Sequence, residues 1–322
     1  MPLPPWSEVW DALRLLIIPA FGTSLLVMIL GRYLVRERST AIVPVLALAA
    51  GAIAANCFRE AMPWRIDSDR PLNQQDLRLI LGWSLEGKPA VESLANDEEK
   101  QPLPIPPPRY WLPWLAGLAM LVDLLTRLVA VSPGSVWAIR SATAIFAGRL
   151  LTSADLRADV PWASWALGLS ILIEWAVLHS LSTQWKDGTV PAALSLCFAA
   201  AGIIILHAHS ARLTDMALFF SVALFAMAMI SWRWPVDAGA ALSGAAVFLP
   251  GLLLSAQQET FSEVPLPCFL LAGLAPIALL PMLHPRLVRL TRWKRWVLAM
   301  ILPMIPAVWA IVVTAQAETL QF

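Results

Sequence analysis

The sequence predicts an all-α membrane protein, a polytopic bundle of about ten helices that each cross a lipid bilayer. Of the 322 residues, 58% are hydrophobic and only 14% are charged, whereas soluble domains carry about 25% charged residues. The apolar residues occur in blocks of about twenty, the length at which a helix crosses ~30 Å of hydrocarbon. Tryptophans lie at the ends of many blocks, as expected at the headgroup level of a membrane.

The first region, residues 1–58, is predicted to hold two spans. The first span runs from Leu13 to Leu34, and the stretch before it lacks the basic start and cleavage site of a signal peptide, so we expect it to remain in the membrane. Basic residues lie at its end and just after it: Arg32, Arg36 and Arg38. The second span, Ala41 to Phe58, is rich in Ala and Gly, which let helices approach closely in lipid. We therefore expect the second helix to be buried inside the bundle.

The one sizeable polar region, residues 59–109, follows these two spans. It ends in QPLPIPPPR, which predicts an extended, polyproline-like chain. The segment DLRLILGWSL within it has the pattern of a short amphipathic helix that lies against a membrane. We interpret this region as a polar extramembrane loop or small cap with a Pro-rich end, and not as a second folded domain.

The last region, residues 110–322, is predicted to hold about eight spans. Seven of them are evident from hydropathy, which with the first two gives nine by hydropathy alone. Their expected limits are Tyr110–Val131, Pro161–Thr183, Thr189–His207, Leu213–Trp232, Val236–Ala256, Pro265–His284 and Trp296–Ala317.

The distribution of basic residues argues for a tenth span. Basic clusters favour the cytoplasmic side of a membrane, and the two strongest lie at 32–38 and 286–295. Nine spans would put these clusters on opposite faces, and one further crossing removes the conflict. The candidate is Ser135–Ala154, although it contains Arg140 and Arg149. With ten spans, both termini and the 59–109 loop face outward, and we expect a multi-pass protein of a bacterial inner (plasma) membrane.

Charged residues inside the predicted spans are the first candidates for function. Asp123 and Glu174 lie nearest the middle of their spans, where a charged residue costs about 3 kcal/mol on insertion scales. Arg127 follows Asp123 by four residues and shares its helical face. Arg140 and Arg149 lie on the intervening helix, within reach of either acid. We interpret the five residues as a buried charge cluster in a proton, ion or solute path. The alternatives are a structural ion-pair network and a Glu174 that is simply protonated.

A second group, His207, His209 and Asp215, lies in the turn HAHSARLTD between two spans. Imidazole and carboxylate groups can bind zinc or another divalent ion. However, a His-x-His pair is a weak signal, and a solvated turn at the membrane surface explains it equally well. His179 and His284 end spans at the opposite face, so we do not expect one site with four histidines.

The segment RLTRWKRW predicts an anchor to lipid headgroups, with anionic lipids at the basic cytoplasmic loops as partners. Its residues are Arg292, Trp293, Lys294, Arg295 and Trp296. The alternative is an ordinary basic flank of a cytoplasmic loop. A net charge of +1 gives no indication of a nucleic-acid partner.

Three functions are compatible with these features: a transporter of a small solute or ion, a non-catalytic accessory subunit of a membrane complex with a membrane-protein partner, and a membrane enzyme acting on lipid-linked substrates. The transporter is ranked first. An enzyme is disfavoured because no phosphate-binding loop, HExxH or GxSxG motif is present and the loops hold few histidines and few clustered acids. We expect no cofactor.

The cysteines, Cys57, Cys197 and Cys268, are odd in number and far apart, which favours packed free thiols.

Overall fold

The computed structural model describes residues 17–34, 41–59, 108–129, 131–208, 210–259 and 264–319, and over these ranges it is helical with no strand. The predicted all-α class is therefore confirmed. Seven segments of the described chain are long and apolar enough to cross a membrane. Most of the polar region at 59–109 lies outside the described residues, so its predicted loop or cap stays a prediction.

The helices are numbered in chain order. They are α1 (Ile18–Leu34), α2 (Ile42–Arg59), α3 (Pro108–Leu128), α4 (Pro133–Leu151), α5 (Ala154–Asp159), α6 (Ala163–Gln184), α7 (Thr189–His207), α8 (Ala211–Arg233), α9 (Gly239–Glu259), α10 (Leu266–Gly273), a 3₁₀ helix (Ala275–Leu283), α11 (Pro285–Val288) and α12 (Arg292–Thr319).

The seven candidate spans are α3, α6, α7, α8, α9, the α10–3₁₀ pair and α12. α1 and α2 contain shorter apolar stretches. α4, which covers most of the segment predicted as an arginine-bearing tenth span, is a helix of 19 residues but is not among the seven.

The helix at the centre of the bundle is α9, whose apolar window is 94% buried. It packs against α3 and α6 and also contacts α2, α4, α7, α8 and α10. Glycines allow these close approaches. A Cβ on Gly251 would lie 2.5 Å from the Leu112 side chain of α3, and one on Gly244 would lie 2.7 Å from the Met120 side chain.

Two further glycines let α4 and α6 touch backbone to backbone. A Cβ on Gly148 would lie 2.5 Å from the backbone oxygen of Ser164 and 2.6 Å from the backbone nitrogen of Gly168. Small residues at such crossings are the usual means of helix association in lipid. This contact holds the second half of α4 against α6, and Arg140 lies about two turns earlier on α4.

The position of α2 differs from the sequence-based expectation of a fully interior helix. Leu46 on this helix is 51% exposed, so one side of α2 faces the surroundings of the bundle. The small residues of α2 allow α1 to pack closely against it. In this contact the Ser24 hydroxyl donates a hydrogen bond to the backbone oxygen of Ala47 at 3.1 Å. An Ala/Gly-rich sequence therefore indicated close packing correctly but did not indicate how many neighbours the helix has.

The expected continuous span Pro265–His284 is broken in the structure. The α-helix α10 ends at Gly273, and a 3₁₀ helix runs from Ala275 to Leu283. Pro276 and Pro281 lie in this segment, and because proline has no N–H it removes α-helical hydrogen bonds. A 3₁₀ run of this length is uncommon. The segment packs against α6 and α12.

The outer surface of the bundle is apolar, as a lipid environment requires. On α12, Ile301, Ile305 and Trp309 are exposed, whereas Ala299, Ala307 and Ala310 are buried. The large apolar side chains thus point away from the bundle and the small ones into it. This arrangement is the reverse of a soluble protein surface and supports an integral membrane protein.

Candidate functional site

Charged and polar side chains from three helices, and from the segment that precedes a fourth, meet at one end of the bundle. The end of α3, the first half of α4, the end of α6 and the start of α9 all lie at this end. Hydrogen bonds between their side chains, and with Asp237 just before α9, bring them together. We call this group the charge network. Its members are Asp123 and Arg127 on α3, Arg140 on α4, His179 on α6, and Asp237 just before α9.

Asp123 is the centre of the charge network and is fully buried. One carboxylate oxygen accepts a hydrogen bond from Arg127 Nε at 2.8 Å. The other forms an ion pair with Arg140 and lies 3.4 Å from the indole nitrogen of Trp175, which donates to it. Charge-assisted hydrogen bonds of this kind are roughly twice as strong as neutral ones. Both oxygens of this buried carboxylate are therefore compensated.

Arg127 extends the charge network towards the end of the bundle. Its Nη1 donates to an Asp237 carboxylate oxygen at 2.6 Å. The side chains of Arg127 and Asp237 are 15% and 23% exposed. The other Asp237 oxygen accepts the backbone N–H of Gly239 at 3.0 Å, in a local turn that precedes α9. A Cβ on Gly239 would overlap the Arg127 guanidinium, so a glycine at this position makes room for the ion pair.

His179 joins the two arginines. Its Nδ1 lies 3.1 Å from Arg127 Nη2 and 3.2 Å from Arg140 Nη2. Since guanidinium groups only donate hydrogen bonds, Nδ1 must accept, and the imidazole is neutral with its proton on Nε2. The ring meets the Trp137 ring edge-on, with 6.2 Å between centroids.

Two indoles form the apolar walls around Arg140, whose side chain is almost completely buried. The guanidinium carbon lies 4.9 Å from the ring centroid of Trp137 and 5.8 Å from that of Trp175, distances at which cation–π attraction operates. With two guanidinium groups, two carboxylates and a neutral imidazole, the charge network has no net charge. It can hold charges inside the bundle without an external counter-ion.

Glu174 is also fully buried but lies apart from the charge network. Neither carboxyl oxygen has a hydrogen-bond partner among the described residues. Glu174 precedes Trp175, so its side chain leaves α6 about 100° away from the side that faces Asp123. The thiol of Cys197 on α7 is close enough to the Glu174 carboxyl to interact with it electrostatically. Glu174 lies ten residues before the end of α6, roughly 15 Å along the axis, which is half the thickness of a hydrocarbon core.

The other residues singled out from the sequence lie elsewhere. Arg149 is exposed, and its backbone oxygen accepts a hydrogen bond from Arg157 at 3.4 Å. His207 is partly exposed at the end of α7, Asp215 is buried in α8, and His209 lies outside the described residues. No group of three or more His, Cys, Asp or Glu residues suited to a metal ion occurs in the part of the chain that the structure describes.

Sequence reasoning brought together Asp123, Arg127 and Arg140 but did not include His179 and Asp237. The positions of both residues in the sequence could have indicated this contact. In the ten-span arrangement, the end of α3, the end of α6 and the start of α9 all fall on one face, so their terminal polar residues are candidates for contact. In that arrangement His179 and His207 lie at opposite faces of the membrane, and His179 lies at the same face as Arg127.

The apolar helices and the buried charges define this chain as a helical membrane protein. No protein-family model matches the sequence, and no curated protein or solved structure matches it either.

Proposed function

We propose that the protein moves a proton, or a small cation that takes the place of the proton, across the membrane, and that Glu174 carries it. The observation behind this proposal is the isolation of Glu174, which is fully buried with both oxygens unpartnered among the described residues. A charged residue at the middle of a membrane costs about 3 kcal/mol on insertion scales. A bound proton or cation removes that cost, so this carboxyl is suited to bind one.

The charge network is proposed to close the path at its own end of the bundle. Its outermost contact is the pair Arg127–Asp237, whose side chains are the partly exposed ones. Behind this pair, Asp123 and Arg140 are buried. A proton on Nδ1 of His179 would add a third positive charge and remove the acceptor that the two arginines share, and so would weaken the closed arrangement.

The broken span supports a role in movement. The 3₁₀ helix packs against α6, which carries Glu174. Long 3₁₀ stretches often mark functional hinges because their hydrogen bonds are weaker than those of an α-helix. A change in this segment would be transmitted to α6 by direct contact.

We further propose that α1, α2 and α4 cross the membrane together with the seven candidate spans, which gives ten. Of the two arginines in α4, Arg140 pairs with Asp123, which removes an unpaired charge from the span, and Arg149 lies in the last turn of the helix. In this arrangement the charge network, Lys186 and Arg233 face the cytoplasm, and both termini and the 59–109 loop face outward. The plasma membrane of a bacterium is the proposed location.

The transport proposal is tested with purified protein in liposomes that contain a pH-sensitive dye. An imposed pH gradient, and separately a Na⁺ or K⁺ gradient, should drive proton flux through the wild-type protein. Glu174→Gln keeps the shape of a neutral carboxyl, so we expect normal folded yield with loss of flux. The control is Ser231→Ala, which alters another buried polar side chain whose oxygen is unpartnered in the described residues. Unchanged flux in Glu174→Gln would contradict the proposal.

The topology is tested separately with reporter fusions. A fusion at Lys186 should report a cytoplasmic position, and one at His209 should report an outward position. A cytoplasmic signal at His209 would reject the ten-span arrangement. It would leave the proposed role of Glu174 to be decided by the flux measurement.

A second candidate is a non-catalytic subunit that is embedded in a larger membrane complex. The observation that favours it is the complete compensation of the charge network, in which each carboxylate meets a guanidinium. Such a network can hold helices together without any transport. If Glu174→Gln and Asp123→Asn both abolish folded yield, the buried acids are structural and this second candidate is preferred.

A further inference from the structure

A second polar cluster lies at the same end of the bundle, where the connection between α6 and α7 meets the end of α8 and the start of α12. We call it the arginine–tryptophan cluster. It consists of Trp185, Asp187, Trp232, Arg292 and Arg295. It shares no residue with the charge network, and the proposed transport function does not use it.

Asp187 is the acid of the arginine–tryptophan cluster. One of its oxygens accepts from the Thr189 hydroxyl at 2.6 Å and from the Thr189 N–H at 3.2 Å, in a turn that leads into α7. The other oxygen forms an ion pair with Arg295 and lies 3.9 Å from Arg292 Nε. One carboxylate therefore faces two guanidinium groups, which leaves one positive charge in excess.

Three buried donors in the cluster have no acceptor among the described residues: Arg292 Nε, Arg295 Nε and the indole N–H of Trp185. Trp185 is only 4% exposed, and the Arg295 guanidinium carbon lies 5.2 Å from its ring centroid. A buried donor without an acceptor costs about 1–3 kcal/mol. An additional anion with several oxygens could accept from all three donors and balance the excess positive charge.

Backbone oxygen atoms fix the position of Arg292 in the arginine–tryptophan cluster. Arg292 Nη2 donates to the Asp187 backbone oxygen at 3.3 Å and also contacts the Trp232 backbone oxygen. Its guanidinium carbon lies 4.0 Å from the Trp232 ring centroid. Gly188 has a φ of 81°, and a Cβ there would lie 2.5 Å from the Ala228 backbone oxygen. Glycine therefore allows the turn that presents Asp187.

We propose that the arginine–tryptophan cluster binds one phosphate group and that an anionic lipid headgroup supplies it. Guanidinium groups form a planar pair of donors that matches phosphate oxygens. The headgroup source is favoured by the neighbouring side chains. Trp293 is 68% exposed, Trp232 is also exposed, and Lys186, Arg233 and Lys294 are exposed at the same end, as expected at the surface of an anionic membrane.

This proposal gives different roles to the residues of the segment 292–296, which the sequence predicts to act as one anchor. Arg292 and Arg295 hold the phosphate. Trp293 and Lys294 lie on the surface beside it. Trp296 instead has a structural role, because its indole N–H donates to the Asp187 backbone oxygen at 3.4 Å and its ring packs edge-on against Trp232.

The test measures lipid retention on the purified full-length protein by native mass spectrometry. The protein is delipidated and then offered phosphatidylglycerol, phosphatidylcholine or inorganic phosphate. We expect the wild-type protein to retain one phosphatidylglycerol in preference to phosphatidylcholine. Arg292→Gln and Trp185→Phe should each weaken that retention about tenfold, because a hydrogen bond to a charged group contributes that order of affinity. Arg233→Gln, the control, removes an exposed charge of the same face and should retain the lipid.

Each result decides the proposal. Equal retention of phosphatidylglycerol by the wild type and all three variants would overturn it, since the preference would then belong to the basic face as a whole. Binding of inorganic phosphate with no retained lipid, lost in Arg292→Gln, would keep the phosphate site and reject the headgroup as its source. If Arg292→Gln does not fold, Trp185→Phe decides, because it keeps the aromatic ring and removes only the N–H.

Discussion

Arg127 and Asp237 lie 110 residues apart in the sequence, yet a guanidinium nitrogen of the first lies 2.6 Å from a carboxylate oxygen of the second. The same guanidinium also holds Asp123, one turn earlier on its own helix. Arg127 therefore connects a local ion pair with a distant one. The two carboxylates that Arg127 holds differ in burial, because Asp123 is fully buried and Asp237 is partly exposed.

Asp123→Asn should destabilise the protein far more than Asp237→Asn. Asp123 is fully buried and compensates two arginines, and breaking a buried ion pair by removing one partner costs about 3–5 kcal/mol. Asp237 is partly exposed and meets one arginine, so water can replace part of its contact, and we expect about 1 kcal/mol. Thermal unfolding of each purified variant in the same detergent measures the difference. Equal melting temperatures would contradict the central role of Asp123.

His179→Leu should destabilise the charge network, whereas His179→Asn should largely preserve it. Leucine leaves Arg127 and Arg140 without the acceptor that Nδ1 provides, at a cost of about 1–3 kcal/mol. The side-chain oxygen of asparagine can occupy the position of Nδ1 and accept the same hydrogen bonds. Unfolding temperatures of both variants test this, and an equal loss in the two would show that the hydrogen bonds to His179 contribute little.

Gly148→Ala should separate α4 from α6. The added methyl group would lie 2.5 Å from the Ser164 backbone oxygen, which cannot rotate away as a side chain can, and overpacking of this kind costs about 1–3 kcal/mol. The control is Gly117→Ala, because a Cβ there meets nothing within 4 Å. We expect a lower melting temperature for the first variant and no loss for the second. A stable Gly148→Ala protein would mean that the two helices can move apart without cost.

The fold class could be predicted from the sequence because membrane insertion depends on local properties. Apolar blocks of sufficient length are visible in the sequence, and they correspond to helices in the structure. The Asp123–Arg127 pair was also predictable, since residues four apart share a helical face. The number of spans cannot be decided in this way, because α4 is helical but less apolar than the seven candidate spans.

The remaining features depend on contacts that no local pattern records. Glu174 and Trp175 are adjacent in the sequence but leave α6 in different directions, so one is isolated and the other contacts Asp123. The position of Asp237 beside Arg127 requires the arrangement of α3 and α9 in the bundle. The 3₁₀ helix was not predicted because prolines are common in membrane helices, where neighbouring helices can satisfy the freed carbonyl groups.

That 3₁₀ helix changes the length of the segment that contains it. An α-helix over the 18 residues of Leu266–Leu283 would extend about 27 Å, at 1.5 Å per residue. With the 9 residues of the 3₁₀ helix rising about 2.0 Å each and the other 9 rising about 1.5 Å each, the same segment reaches about 32 Å, slightly more than the ~30 Å of a typical hydrocarbon core. The stretched winding thus matches a short segment to the bilayer. Rewinding it as an α-helix would create a hydrophobic mismatch of about 3 Å, which the lipid or a tilt of the neighbouring helices would have to absorb.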